Sequence, residues 1–150
     1  MDLGIKGRWA ILSGSSRGLG WACAQSIARE GANVVINGRT SADVDEAVAH
    51  LTSRYHIEAR GVVGDSATAS VQDELLSACP EPDIILLNGQ GPSPKAFLDI
   101  ESEDWDSAVR QALTGPLALV QRVVPGMRDR GFGRIVAVSS AMVKSPAPSR

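Results

Sequence analysis

Residues 12–20 read Leu12-Ser13-Gly14-Ser15-Ser16-Arg17-Gly18-Leu19-Gly20, and they carry the clearest indication of the fold. It follows a short apolar run, Trp9-Ala10-Ile11-Leu12, and precedes a segment with helical spacing, so it joins a first strand to a first helix. Its glycines let the backbone approach an anion closely, and the start of the helix offers free N–H groups to that anion. The stretch therefore predicts a turn that holds the pyrophosphate of a dinucleotide.

The three glycines of this turn follow the spacing G-x-x-x-G-x-G, and the last, Gly20, is expected to let the helix lie close to the strand. Glycine is also common in turns that bind nothing, so a purely structural turn is the alternative. The position of the trio between a first strand and a first helix favours nucleotide binding.

Short apolar runs alternate with helix-length segments along the whole chain, which predicts parallel strands joined by right-handed crossovers. We therefore expect an α/β fold in one domain, residues 1–150: a doubly wound parallel sheet with strand order 3-2-1-4-5. Ligands of such sheets bind beyond the carboxyl ends of the strands. The predicted strands are Trp9–Leu12, Val34–Ile36, Ala59–Val63, Ile84–Leu87 and Ile135–Val138, and the predicted helices are Gly18–Glu30, Ala42–Arg54, Thr68–Ala78 and Glu101–Met127.

Two of these helices carry more detailed expectations. The hydrophobic spacing of the first helix predicts an inward face, and Pro125 is expected to bend or end the last helix. The predicted inward residues of the first helix are Leu19, Ala22, Cys23, Ser26 and Ile27.

Two arginines bear on the type of dinucleotide. An acidic residue after the second strand favours NAD, whereas an arginine there pairs with the 2′-phosphate of NADP. Here the strand is followed by Asn37-Gly38-Arg39-Thr40, without an acid, and Arg17 lies in the first turn. A guanidinium suits phosphate because its planar fork bonds two oxygens at once. We favour NADP over NAD, and two solvated surface arginines are the alternative.

Polar residues also follow the third and fourth strands. Asp65, followed by Ser66, is expected either to accept a bond from the adenine amino group or to cap the helix near Thr68. Asn88 is expected to support the first turn or to contact the ribose, although Asn88-Gly89 is also a favourable turn pair.

The fifth predicted strand ends at Ser139-Ser140. A hydroxyl at this place faces the nicotinamide end of the crevice, where it can bond a substrate carbonyl, and a simple cap or turn is the alternative. We predict no metal site.

Composition narrows the class of protein. The net charge of −2 over 150 residues gives no general attraction to nucleic acid or to anionic membranes. No apolar run approaches the roughly 20 residues that span a bilayer, and the first residues lack a signal-peptide core. Two cysteines are too few for a disulfide framework. We therefore expect a soluble, cytoplasmic protein.

Taken together, these motifs resemble the short-chain dehydrogenase/reductase family, especially its members similar to 3-oxoacyl-acyl-carrier-protein reductase. The resemblance covers the whole chain and corresponds to the N-terminal part of the family fold. It rests on blocks in the family's order: residues 12–20, Gly31-Ala32-Asn33-Val34-Val35-Ile36, Asp83-Ile84-Ile85-Leu86-Leu87-Asn88-Gly89, Pro125-Gly126-Met127-Arg128 and Gly133-Arg134-Ile135-Val136-Ala137-Val138-Ser139-Ser140.

The resemblance implies a Rossmann-type fold of three layers, α/β/α, and hydride transfer between a nicotinamide and a carbonyl or alcohol. Ser140 matches the family's catalytic serine, which orients the carbonyl, and Asp65 matches its adenine-contacting aspartate. Asn88 matches the second asparagine of the family's Asn-Asn-Ala-Gly segment. The expected cofactor-binding residues are Gly14, Ser15, Ser16, Arg17, Gly18, Leu19, Gly20, Arg39, Asp65, Ser66, Asn88 and Gly89.

The chain also departs from the family pattern. The family's Tyr-x-x-x-Lys, whose tyrosine transfers the proton, is absent up to Arg150, and the only tyrosine is Tyr55. Ala112 stands where the family has an asparagine, and Val143–Pro148 resembles a subgroup with an altered tyrosine motif. We therefore expect the 150 residues to bind cofactor without catalysing by themselves, with a non-catalytic NAD(P)-binding or sensing module as the alternative.

The family's last strands are missing too, so the fifth strand is expected to leave an apolar edge. Such an edge predicts association of the chain, as a homo-oligomer, or poor solubility.

Overall fold

The structure, a computed structural model, describes residues 3–89, 91 and 95–145. They contain a five-stranded parallel sheet in the order β3-β2-β1-β4-β5, which confirms the expected topology. The strands are β1 Trp9–Leu12, β2 Asn33–Gly38, β3 Ala59–Val63, β4 Ile84–Leu87 and β5 Arg134–Ala137. The helices are α1 Gly18–Arg29, α2 Ser41–Tyr55, α3 Ala69–Ala78, α4 Ser102–Val109 and α5 Gly115–Asp129.

The strand register brings the carboxyl ends of the central strands to one edge of the sheet. Leu12, the last residue of β1, pairs with Ile36 of β2 and with Leu86 of β4. The segments that follow these strands therefore begin side by side, as the topology requires.

Helices cover both faces of the sheet, because alternate residues of each strand point to opposite faces. One core cluster joins β1, β2 and β4 to α1 and α2, and the other joins them to α3 and α5. In β1, Ala10 and Leu12 belong to the first cluster and Ile11 to the second, and all three are fully buried. This arrangement confirms the three-layer α/β/α expectation.

The predicted inward face of α1 is wrong in part. Its buried residues are Gly20, Ala24 and Ala28, whereas Leu19 is 70% exposed. Ala22 and Ser26 are exposed as well, and only Cys23 and Ile27 reach the core, where they are half-buried. Small residues four positions apart allow the helix backbone to lie close to the sheet, and that close packing outweighs the preference for larger apolar side chains.

The predicted helix from Glu101 to Met127 consists of three parts. α4 ends at Val109, a π-helical turn spans Arg110–Thr114, and α5 then runs to Asp129. The helix therefore continues past Pro125, and the expectation that this proline ends it is wrong. The missing N–H of a proline removes one bond of the helical ladder, which the rest of α5 tolerates.

At the β5 end of the sheet, the described residues leave the strand uncovered. Every residue of β5 is exposed, with Ile135 at 41% and Val136 at 52%. α4 buries none of its residues, and its Trp105 and Val109 are exposed. The predicted apolar edge is therefore present. No helix in the described part of the chain is long and apolar enough to cross a membrane.

Candidate cofactor site

A cavity of about 450 Å³ lies across the carboxyl ends of β1 to β4. It is bounded by the turn after β1, the ends of β2, β3 and β4, and one residue of the π-helical turn. Most of the binding residues predicted from the sequence line it. Its lining residues are Gly14, Ser16, Arg17, Gly38, Arg39, Thr40, Asp43, Gly64, Asp65, Ser66, Ala67, Asn88, Gly89 and Gln111.

Four other residues of the predicted turn lie beside this cavity rather than in its lining. Ser15 is fully buried, and its hydroxyl donates to the Leu12 carbonyl at 2.6 Å, so its side chain stabilises the turn. Gly20 is buried at the start of α1, and Leu19 is exposed. Gly18 has a φ of +58° and begins α1.

The glycines of the turn differ in what surrounds them. A Cβ on Gly14, whose φ is +55°, would lie 2.4 Å from the Asn88 carbonyl oxygen. A Cβ on Gly20 would lie 2.2 Å from the Gly14 carbonyl oxygen, so both positions are closed by backbone. At Gly18, in contrast, nothing lies within 4 Å of a Cβ. Backbone atoms therefore pack tightly against the turn at Gly14 and Gly20, whereas the space next to Gly18, at the start of α1, is open.

The first turn of α1 offers its N–H groups to this open space. Arg17 is the N-cap residue in an extended conformation, and its side chain does not cap the helix. The first turn contains no acidic residue either. The first N–H groups of a helix lack intrahelical acceptors and carry the positive end of the helix dipole. The chemistry of this end of α1 therefore fits a phosphate anion, and with it the diphosphate of a dinucleotide.

Asn37 is a structural residue of the site that the sequence interpretation missed. It is 2% exposed, and its side-chain Nδ2 donates to the carbonyls of Val62 and Gly64, both at 3.1 Å. Its Oδ1 accepts the Gly14 N–H at 3.3 Å. One buried side chain therefore ties the first turn to the end of β3. An asparagine that directly follows a run of buried β-branched residues is the signal that could have identified it.

Ser13 and Asn88 fix the turn from the β4 side. The Asn88 amide Nδ2 donates to the Gly14 carbonyl at 2.8 Å. The Ser13 hydroxyl donates to the Leu86 carbonyl at 3.0 Å and accepts the Asn88 N–H at 2.9 Å. Asn88 thus supports the first turn directly, which is one of the two roles expected for it.

The two arginines predicted to select the dinucleotide both line the cavity. Arg17 is paired with Asp43, which lies in the first turn of α2. Asp43 was not predicted, because its partner lies 26 residues away on another element. Gly38 was also missed as a spacer: a Cβ there would lie 2.4 Å from the Ser16 hydroxyl oxygen.

Asp65 and Ser66 form the wall of the cavity beyond β3. The Asp65 Oδ1 accepts the Ala67 N–H at 2.9 Å, and its Oδ2 lies 3.7 Å from Arg110. Asp65 therefore orders the turn before α3 but does not cap the helix, because the N-cap residue is Thr68 and no side chain of the described residues bonds the N–H groups of the first turn. The buried Gln72 of α3 donates to the Ser66 carbonyl at 3.0 Å and to the Gly115 carbonyl at 2.8 Å.

Comparison with known proteins identifies the family. The short chain dehydrogenase family model matches residues 8–150. The chain belongs to the short-chain dehydrogenase family. It spans about half the length of its relatives and corresponds to their N-terminal part, as the resemblance predicted.

Three relatives illustrate the range of this family. The 3-oxoacyl-acyl-carrier-protein reductase of Aquifex aeolicus is 29% identical, and the alignment covers 95% of this chain and 59% of that protein. The mouse protein called inactive hydroxysteroid dehydrogenase-like protein 1 is 31% identical, with coverages of 95% and 44%. The structure of L-sorbose reductase from Gluconobacter frateurii, complexed with NADPH and L-sorbose, superposes with a TM-score of 0.90, at 30% identity and coverages of 98% and 57%.

The catalytic positions of the short-chain dehydrogenase family are matched less completely in this chain than the predicted cofactor-binding positions. Ser140 is exposed just beyond β5, its carbonyl accepts the Val143 N–H at 3.1 Å, and it is not part of the described cavity lining. Ala112 lies in the π-helical turn, next to Gln111, which does line the cavity. Tyr55 ends α2 and packs against the first core cluster.

No group of three metal-binding side chains gathers anywhere in the described part of the chain. The segment Val143–Pro148 resembles a family subgroup whose tyrosine motif is altered. Its residues Pro146–Pro148 lie outside the described part of the chain.

Proposed function

We propose that this chain supplies the NADP-binding part of a short-chain dehydrogenase that transfers hydride to or from a carbonyl or alcohol substrate. One observation carries the proposal: the cavity at the strand ends combines an uncapped helix start with two arginines, Arg17 and Arg39. The L-sorbose reductase structure, which holds NADPH, has the same fold over nearly the whole chain and supports the proposal.

In this proposal each wall of the cavity takes a different part of the cofactor. The first N–H groups of α1, with Gly18 open above them, bind the pyrophosphate. Arg17 and Arg39 bind the 2′-phosphate, Asp65 and Ser66 the adenine end, and Asn88 and Gly89 the ribose. When bound, the nicotinamide supplies or accepts the hydride, and Ser140 orients the substrate carbonyl by a hydrogen bond.

The preference for NADP is tested by charge reversal at Arg39. Arg39→Asp is expected to weaken NADPH binding by about tenfold or more, because it removes a phosphate partner and adds repulsion, while NADH binding changes little. Titration calorimetry with both dinucleotides measures this. Arg29→Asp, the same change at an exposed residue of the last turn of α1, is the control. Equal loss of NADPH and NADH binding contradicts the preference.

The alternative is a non-catalytic module that binds or senses NAD(P). Ala112 at the family's asparagine position favours it, and one relative is itself named inactive. An assay of NADPH oxidation over a panel of ketones and aldehydes, on the longest natural form of the protein, distinguishes the two. Turnover that Ser140→Ala reduces at least tenfold supports the enzyme. Tight NADPH binding without turnover supports the module.

We also propose that the chain self-associates through its open side, and we keep the cytoplasmic location as a prediction of the sequence. The exposed apolar residues of β5 and α4, including Ile135, Val136 and Trp105, support association. Light scattering at several concentrations tests it, and a monodisperse monomer contradicts it.

A further inference from the structure

We infer that Asp43 sets how strongly this site prefers NADPH over NADH, by competing with the 2′-phosphate for Arg17. The inference rests on the proposed function, because it takes the arginine end of the cavity as the 2′-phosphate subsite. It assigns a role to a residue that matches no dinucleotide motif of the chain.

The first observation is the place of the Arg17–Asp43 pair. Besides the main cavity, a second cavity of about 280 Å³ lies between α1 and α2, lined in part by Trp21 and His50. Three residues line both cavities: Ser16, Arg17 and Asp43. The ion pair therefore forms the wall between the two, and any anion that reaches Arg17 from the main cavity meets the Asp43 carboxylate as well.

The second observation is the charge at this end of the cavity. Arg17 and Arg39 are its basic lining residues, and the Asp43 carboxylate, which pairs with Arg17, offsets part of their positive charge. The other acidic lining residue, Asp65, lies on the β3 wall, 3.7 Å from Arg110. A phosphate monoester carries roughly −1.5 to −2 charges near neutral pH. The 2′-phosphate must therefore compete with the Asp43 carboxylate, which already pairs with the Arg17 guanidinium. NADH has no 2′-phosphate and does not compete for this contact.

The third observation concerns how firmly Asp43 is held. Its side chain is 21% exposed, and it lies in the first turn of α2, where the helix dipole favours a carboxylate. The Arg17 side chain is 71% exposed. The acid is thus the fixed member of the pair, and the arginine is the member that can turn toward a ligand.

Two opposite effects of Asp43 on NADPH binding have to be weighed. The pair holds Arg17 near the cavity, which helps binding, but an exposed ion pair orders its side chains only weakly. The carboxylate also repels the phosphate, and a charge this close, well within the roughly 8 Å screening length at physiological salt, is not screened away. Repulsion therefore outweighs positioning, and the acid lowers the preference for NADPH.

The test measures NADPH and NADH binding to the wild-type chain and to Asp43→Asn by titration calorimetry. We expect Asp43→Asn to tighten NADPH binding about fivefold and NADH binding less than twofold, and the gain to shrink as salt is raised toward 1 M. Asp43→Ser repeats the neutralisation with a smaller polar side chain. Circular dichroism confirms that both variants fold.

Asp45→Asn is the matched control, because it removes the same charge from the same helix at an exposed residue that lines neither cavity. It is expected to change both affinities less than twofold. Unchanged or weaker NADPH binding by Asp43→Asn, or an equal gain with Asp45→Asn, overturns the role of Asp43 and leaves the cofactor site standing. If neither the wild-type chain nor any variant binds NADPH or NADH, the proposed function falls together with this inference.

Discussion

β2 and β5 are parallel strands of the same sheet, yet only β2 is enclosed by the chain. All residues of β2 after the first are buried, whereas every residue of β5 is exposed. The enclosed half carries the glycine turn, the two arginines and the buried amide of Asn37. The open half carries α4 and the strand that leads to Ser140. The residues proposed to bind the cofactor are therefore supported by buried packing within the described part of the chain. The segment that leads to the residue proposed to bind the substrate, Ser140, lacks such packing.

The largest effect is expected where the enclosed half is packed most tightly. Gly20→Ala places a Cβ 2.2 Å from the Gly14 carbonyl oxygen and 2.8 Å from the Ser15 Cα, and backbone cannot move aside easily. We expect a loss of about 3 kcal/mol in the free energy of unfolding, measured by urea titration, together with weaker NADPH binding.

Gly131→Ala, before β5, is the matched change in the open half. Its φ is +65°, but nothing lies within 4 Å of a Cβ there, so only backbone strain of about 1 kcal/mol is expected. Equal losses at the two glycines would show that the first turn is not closely packed on α1.

The next effect concerns the buried amide that ties the turn to β3. Asn37→Ala leaves the carbonyls of Val62 and Gly64 and the N–H of Gly14 without this partner. We expect a loss of about 2–3 kcal/mol, measured by urea unfolding. Asn33→Ala, at the half-buried start of the same strand, removes one bond to the Glu58 N–H and is expected to cost about 1 kcal/mol or less. A smaller loss at Asn37 than at Asn33 would contradict its bracing role.

A matched pair of valines compares the two halves directly. Val35 in β2 is fully buried, and Val136 in β5 is 52% exposed. Val35→Ala is expected to lower the free energy of unfolding by about 2 kcal/mol and Val136→Ala by about 0.5 kcal/mol or less, because only the first leaves a cavity. Similar losses from both would show that β5 is covered in solution, which also tests the proposed self-association.

The smallest effect is chemical, and it compares the two cysteines. Cys79 is 3% exposed, and burial raises the pKa of its thiol to about 11. At pH 8 only about one molecule in a thousand then carries the reactive thiolate. Iodoacetamide should therefore label the half-buried Cys23 much faster than Cys79, as peptide mass spectrometry would show. Faster labelling of Cys79 would mean that α3 opens more readily than its buried core suggests.

The same raised pKa gives Cys79 a pH effect on stability. The folded chain favours the neutral thiol, so this contribution is complete below pH 9 and is lost as the pH rises toward 11. Because Cys79→Ser lacks that titration, its stability should fall less over this range.

The sequence predicted most of the fold because its strands are short apolar runs bounded by turn residues. The bounds of β1, β3 and β4 agree with the prediction, and the strand order follows from the alternation of strands and helices. The inward face of α1 was predicted less well, because Gly20, Ala24 and Ala28 are buried for their small size, which a search for apolar residues passes over.

The sequence predicted most of the residues that line the candidate site, but it did not predict the side-chain contacts between them and their neighbours. Residues at strand ends gather because parallel strands bring them to one edge, so Gly14, Arg39, Asp65 and Asn88 line one cavity. The partners of these residues depend on side-chain directions that one sequence does not show. The buried bonds of Asn37 and the pairing of Arg17 with an acid on α2 are contacts of that kind.

The π-helical turn at Arg110–Thr114 has a consequence for insertions and deletions. A turn closed by i→i+5 bonds holds one residue more than an α-helical turn, so loss of a single residue here converts it into ordinary helix. If the turn rewound as α-helix with all its residues kept, everything that follows would instead rotate by about 100°. Leu119, Val123 and Met127 would then leave the core, and Gly115, whose Cβ would lie 2.6 Å from Ala67, would turn a different face to that neighbour. The packing of α5 therefore keeps this turn in its π-helical form, and deletion of one residue here is expected to be tolerated better than insertion of one.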